Sequence, residues 1–167
     1  NIGVIFTNLK EHQKAKECFE KAIEIDPNNS SAHNNLGVIS KDLGENQKAK
    51  ECYEKAIKIN PSRLDAHNNL GVIFKDLGEN QKAKECFEKA IEIDPNHVDA
   101  HNNLGVVFEE LKEYQKAKEC YEKAIEIDPN HVDAHNNLGV IFKDLGENQK
   151  AKECFEKAIE IDPNHVD

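Results

Sequence analysis

Histidines recur in pairs along this chain. His97 with His101, and His131 with His135, stand four residues apart, with Asp99 and Asp133 between them. That spacing places two imidazoles on one helix face, where a transition metal could bridge them. Two ligands do not close a site, however, and a packing role for His101 and His135 with a loop-edge role for His97 and His131 is the simpler reading, so no metal is expected. Cysteine offers a second chemistry. Cys18, Cys52, Cys86, Cys120 and Cys154 follow one another at intervals of 34 residues. An odd number at even spacing, with no Cys-x-x-Cys, does not resemble a disulfide framework or a metal knuckle. Buried, reduced thiols acting as small apolar groups are predicted, and with them a reducing, intracellular and cytoplasmic setting. Carboxamides offer a third. Asn34/Asn35, Asn68/Asn69, Asn102/Asn103 and Asn136/Asn137 recur as doublets. Asparagine is a mediocre helix former that competes for backbone hydrogen bonds, so a doublet repeated inside a helix needs a reason. A carboxamide donates and accepts at once, and can therefore pair with the C=O and N–H of a peptide group. Outside these repeated columns there is no glycine-rich phosphate loop and no Ser, His and Asp set. Neither catalysis nor a cofactor is expected.

The elements that carry these residues follow from the 34-residue interval, which also spaces Pro27, Pro61, Pro95, Pro129 and Pro163. Four complete units span 30–63, 64–97, 98–131 and 132–165, after a truncated unit 1–29 and before residues 166–167, which open a cut-off one. The expected organisation is one continuous array over 1–167. In the unit 98–131, Ala100, Leu104, Val107, Phe108 and Leu111 mark one helical face, and Ala117, Tyr121, Ala124 and Ile125 mark a second. Gly78 can take the left-handed conformation that ends the first helix. Lys10 and Lys112 replace that glycine in two units, where a left-handed lysine costs about 1 kcal/mol or slightly more and predicts a different closure of the turn. Asp-Pro-Asn ends the second helix, because proline lacks an N–H and disfavours helical geometry in the residue before it. Asn96, followed three residues later by Asp99, resembles a capping box for the next first helix. Gly71, Gly105 and Gly139 lie inside first helices, where glycine costs about 1 kcal/mol relative to alanine, so a close approach by the partner helix is expected there, against Ala83, Ala117 and Ala151. A hairpin of two such short helices cannot fold alone. Neighbouring hairpins must complete its core, as in a solenoid.

His67, Leu70, Gly71 and Phe74, then Ala83, Phe87, Ala90 and Pro95, resemble the tetratricopeptide repeat (TPR) pattern over the whole chain. Two departures are visible. His33, His67, His101 and His135 stand where the family often has tryptophan, and Ser40 stands where other units have Phe6, Phe74, Phe108 and Phe142. The resemblance implies an all-α solenoid of antiparallel hairpins stacked into a right-handed superhelix, whose first helices line a groove. The columns implied to touch a ligand are Asp65, Asp99 and Asp133, the asparagine doublets, and Val72 and Val106. The second member of each doublet, Asn35, Asn69, Asn103 and Asn137, continued by Asn1, is similar to an asparagine column in the superhelical TPR domain of O-linked N-acetylglucosamine transferases, which holds the backbone of an extended peptide. The basic clamp that other TPR domains use for acidic C-termini is absent from these columns.

Composition narrows the partner. Lys and Arg number 22 against 32 Asp and Glu, a formal charge of −10, which disfavours phosphate backbones and anionic lipid. No run of about 18 apolar residues is present, so no membrane helix is predicted. The unit 30–63 carries six basic against four acidic residues, whereas the next three carry four against seven, eight and seven, so a basic or neutral segment is favoured toward the C-terminal part. Methionine is absent, which predicts an excerpt of a longer protein, and units cut at both ends predict head-to-tail association. The favoured function is a non-catalytic scaffold binding an extended peptide or partner protein. A structural spacer, or the substrate-recruiting part of a larger enzyme, are the alternatives.

Overall fold

The apolar stripes become helices in the computed structural model, which describes residues 2–163. Asn1 and the residues assigned to a cut-off repeat, Val166 and Asp167, lie outside the described residues. Ten helices and no strand are present among the described residues, and the chain divides into two compact units, Asn1–Leu77 and Gly78–Asp167. The first unit contains α1 (Ile2–Asn8), α2 (His12–Ile25), α3 (Ser30–Asp42), α4 (Asn46–Ile59) and α5 (Leu64–Asp76). Each helix packs on the next, and the first helices α3 and α5 also lie beside one another. The second unit repeats the arrangement with α6 (Asn80–Ile93), α7 (Val98–Glu110), α8 (Tyr114–Ile127), α9 (Val132–Asp144) and α10 (Asn148–Ile161), α7 lying beside α9. The architecture is the all-α stack of helical hairpins that the repeat predicts.

Turn chemistry is uniform. Gly44, Gly78 and Gly146 take φ of 75°, 72° and 77°, and Lys10 and Lys112 take 56° and 60°. The expectation that the two lysine turns close differently is therefore overturned. Lys112 N–H donates to Glu109 C=O and Glu113 N–H to Phe108 C=O, both at 2.8 Å, matching the bonds of Gly44 and Glu45 to Lys41 and Ser40. These bonds satisfy the terminal carbonyls of the first helix, and they outweigh the left-handed strain. Lys112→Gly should accordingly raise stability by about 1 kcal/mol, read as a higher urea midpoint at unchanged slope.

Helix starts also differ from expectation. The residue capping α7 is His97 rather than Asn96, its Nδ1 accepting the Ala100 N–H at 3.1 Å. His131 does the same for Ala134, and Asn29 Oδ1 for Ala32. Asn96 instead donates its backbone N–H to Asp94 Oδ1 in the preceding turn. Arg63 holds the capping position of α5 without capping it. Its guanidinium reaches back to Ser30 and Ser31, both at 2.7 Å.

Packing explains the helical glycines more sharply than the alanine columns do. A Cβ on Gly105 would lie 2.5 Å from Tyr121 Cε1, and one on Gly139 would lie 2.6 Å from Phe155 Cε1. The close neighbour is thus an aromatic ring laid flat on the glycine, and it needs the missing side chain for space. Phe19, Tyr53 and Tyr121, which face Gly3, Gly37 and Gly105, are essentially fully buried in this role. Leu111, assigned by periodicity to the core stripe, is 40% exposed because it sits in the cap after α7 has ended.

Phenylalanines in the other aromatic column are gripped by lysine. Lys84 and Lys116 place their ammonium groups 5.7 and 5.3 Å from the Phe108 ring centre, and Lys118 and Lys150 lie 5.3 Å from that of Phe142. One lysine of each pair comes from the preceding repeat and one from the ring's own repeat. Ser40 lacks the ring. There the corresponding lysines form ion pairs across the repeat junction instead, Lys16 with Glu45 at 2.7 Å and Lys48 with Glu20 at 2.8 Å. Ser40 itself is 0% exposed and its Oγ has no hydrogen-bond partner. Ser40→Phe should return both lysines to a ring face and stabilise the fold by about 1–3 kcal/mol, the worth of burying a phenyl group. A urea melt in which the variant is less stable would mean that the lysine stems have closed the space.

Candidate functional site

The histidines are occupied by structure. His33, His67, His101 and His135 bring Nε2 to within 2.9–3.1 Å of the C=O of Pro27, Pro61, Pro95 and Pro129, tying each first helix to the turn before it. The imidazole N–H donates and fixes the tautomer. Among the described residues no group of three or more His, Cys, Asp or Glu is placed to hold a metal ion. The thiols are free and partly or wholly buried, and burial pushes Cys52 up to about 11 and Cys120 up to about 12, so neither is a thiolate at neutral pH.

The asparagine doublets separate into two roles. Asn34 and Asn102, first members, are buried at 5% and 8% exposure, whereas Asn35, Asn69, Asn103 and Asn137, second members, are half-buried and reach the surface. Asn68 is half-buried and Asn136 exposed. Asn137 Nδ2 donates to Asn102 Oδ1 at 3.1 Å, joining α9 to α7. In the first unit the equivalent acceptor, Asn34 Oδ1, has no partner. The bond at Asn102 uses one N–H of Asn137. Its carbonyl oxygen and second N–H are the groups that a bound backbone would meet. Val72 and Val106 are half-buried on the same helices.

The acidic column stands at the start of the first helices. Asp65 and Asp99 have side chains 63% and 67% exposed, the first 4.0 Å from Arg63 and the second 3.3 Å from His131, and Asp133 is also exposed. Each lies in the first turn of its helix, where a carboxylate complements the positive end of the dipole.

Between α7 and α9 a cavity of about 400 Å³ brings several of these columns together. Val106, Glu109 and Glu110 come from α7, and Asn137 and Asp144 from α9, while Lys112 and Tyr114 close it at the turn into α8. The Tyr121 hydroxyl donates to Glu109 Oε2 at 2.9 Å and holds that side chain in place. Burial, and the charge of Glu109 after it, push the Tyr121 phenol well above its ordinary range, so it stays a donor. Tyr114 is a lining residue that the periodic reading of the sequence does not single out. It stands in a column held by Asn46, Asn80 and Asn148 in the other complete repeats and by His12 in the truncated one.

A larger cavity, about 510 Å³, lies in the first unit between α2, α3 and α4, with Ile23, Leu36, Cys52 and Lys55 on its walls. Its Lys48 is committed to Glu20, and its thiol is protonated.

Comparison with known proteins decides the family, since the tetratricopeptide repeat matches residues 1–29, 30–63, 64–97, 98–131 and 132–165. The chain belongs to the tetratricopeptide repeat family. No curated protein sequence matches this TPR chain significantly. Among solved structures it is similar to MamA, with 28% identity, a TM-score of 0.85 and coverage of 98% of this chain and 95% of that one. It is also similar to YrrB, described as a TPR protein with an unusual peptide-binding site, at 26% identity and a TM-score of 0.77, covering 99% and 85%. PilF of Pseudomonas aeruginosa shares the TPR fold, with 24% identity and a TM-score of 0.89 over 95% of this chain and 72% of that one. Among the described residues no helix is long and apolar enough to cross a membrane.

Proposed function

We propose that this TPR chain is a non-catalytic, intracellular scaffold that holds an extended peptide segment of a partner protein along the faces of its first helices. The observation that carries the reading is the division of labour within the asparagine doublets. A buried first carboxamide, as at Asn102, anchors the surface carboxamide of the next repeat, Asn137. A carboxamide pre-oriented in this way pairs with a peptide backbone at a smaller entropic cost than a mobile one. The described peptide-binding site of YrrB, a chain 26% identical to this one, supports the same reading. Because backbone is the common feature of every polypeptide, asparagines in register favour capture of extended segments with little regard to sequence.

A peptide array probed with the wild-type chain, and with a variant whose surface asparagines are alanine, tests this function. Binding by wild type that the variant loses across unrelated sequences is expected. An unchanged array pattern would remove the asparagine column from the mechanism.

A further inference from the structure

The repeats share most of their residues, and the departures of the unit 98–131 are concentrated in one place. In the unit 98–131 Glu109 stands where the other complete units have Lys41, Lys75 and Lys143, Lys112 where they have Gly44, Gly78 and Gly146, and Tyr114 where they have an asparagine, while the truncated first unit carries Thr7, Lys10 and His12 in these columns. All three departures line the same cavity between α7 and α9. Identical surfaces repeated along a chain suit a ligand's backbone, whereas a side chain is read where unlike residues converge. This cavity is the place in the second unit where they do.

Its charge is unbalanced. Glu109, Glu110 and Asp144 face the cavity with Lys112 as the one basic lining residue. Among the described residues none of the three carboxylates is in an ion pair, although the equivalent Asp76 lies 3.2 Å from Lys75 and Asp42 lies 3.7 Å from His12. Glu109 is held by the buried Tyr121 through Oε2, which leaves Oε1 for another donor. Tyr114 adds an aromatic ring, a surface on which a planar cation stacks. Val106 and Asn137 place the cavity on the same face as the peptide-holding column.

We infer that this cavity is a specificity pocket for one cationic side chain of the bound segment, arginine in preference to lysine. This assignment rests on the peptide-binding reading above and adds a side-chain preference to it. Arginine is favoured because its flat guanidinium can meet two carboxylates at once and lie against Tyr114, whereas lysine presents a single compact charge. The unpaired carboxylates repel one another until such a cation arrives, so they favour a basic occupant and reject an acidic one.

The test uses fluorescein-labelled twelve-residue peptides of Ser, Thr, Val and Ala carrying a single central guest, Arg, Lys, Gln or Glu, titrated by fluorescence anisotropy at low salt. Wild type should bind the Arg guest about tenfold more tightly than the Gln guest, with Lys between them and Glu weakest. In the Glu109→Gln/Glu110→Gln variant that preference should collapse while affinity for the Gln guest stays the same. The Glu109→Gln change keeps an acceptor for the Tyr121 hydroxyl, so the fold is preserved, and circular dichroism checks it. Raising the salt to about 0.5 M should shrink the wild-type preference as well. Equal affinity of wild type for the Arg and Gln guests, or a preference that survives in the variant, overturns the pocket and leaves the peptide reading standing. Failure of every guest to bind overturns both.

Discussion

Asn103→Ala combined with Asn137→Ala is expected to weaken binding of any extended peptide by at least about 30-fold. Each carboxamide has about two hydrogen bonds to offer a peptide backbone, each worth a net of roughly 0.5–1.5 kcal/mol, so the pair accounts for about 2–6 kcal/mol. The loss should be similar for ligands of unrelated sequence, because the contacts go to atoms that all peptides share. Sequence alone predicts a small rise in stability, alanine being the better helix former. The structure reverses that sign. Asn137 supplies the donor for buried Asn102 Oδ1, and leaving that oxygen unpaired costs about 1–3 kcal/mol. The double variant should therefore melt lower than wild type, and binding must be measured well below its midpoint. Calorimetric titration of two dissimilar peptides distinguishes the outcomes. A loss confined to one peptide would point to side-chain recognition through Val106 and its acidic neighbours rather than to the backbone.

Gly105→Ala should cost about 2 kcal/mol, although helix propensity alone assigns the change a gain of about 1 kcal/mol. The new methyl would meet three atoms of the Tyr121 ring at 2.5, 2.7 and 2.9 Å. Tyr121 is 0% exposed and has no room to retreat, and its hydroxyl is tied to Glu109. Either the ring shifts or α7 and α8 separate, and both disturb the position of Glu109. A urea midpoint that falls at unchanged slope would match this account. A midpoint that rises would show that the ring has space the static packing does not display. Because Glu109 lines the cavity between α7 and α9, the same variant should also weaken the preference for an Arg guest, so the packing defect and the binding defect appear together.

Element types and their order are legible because the period of 34 repeats every signal: the stripe of Ala100, Leu104, Val107 and Phe108 recurs in each complete unit, with Ser40 its one polar member. Local geometry is less legible where two residue types can satisfy one backbone demand. Lys112 takes the left-handed conformation of a glycine because the turn's hydrogen bonds outweigh a strain of about 1 kcal/mol, a balance that propensity does not display. Asn96 has the chemistry of a cap, yet the chain places His97 there, since an imidazole Nδ1 accepts as a carboxamide oxygen does. The asparagine doublet is visible in the sequence, but adjacent residues on a helix point about 100° apart, and only the placement of α9 beside α7 distinguishes the buried member from the surface one. Tyr114 escapes a periodic reading because a single aromatic at the first position of a helix carries no periodic signal. Its departure from the column of Asn46, Asn80 and Asn148 is the signal that points to it.

The lysine grip on Phe108 and Phe142 makes each repeat the owner of half its neighbour's socket. Lys84 belongs to the repeat before Phe108, and Lys118 to the repeat before Phe142. A 34-residue block copied into the array therefore arrives with a lysine for the block after it and a ring for the block before it, and the new seam closes without compensating mutations. Length can grow or shrink in whole blocks at almost no cost in compatibility. The block containing Ser40 breaks this interchangeability, because its seam depends on the pairing of Lys16 with Glu45 and Lys48 with Glu20. Duplicated there, the array would acquire a second seam held by charge, softened by salt where its neighbours keep their rings, and the chain would part first at those two places.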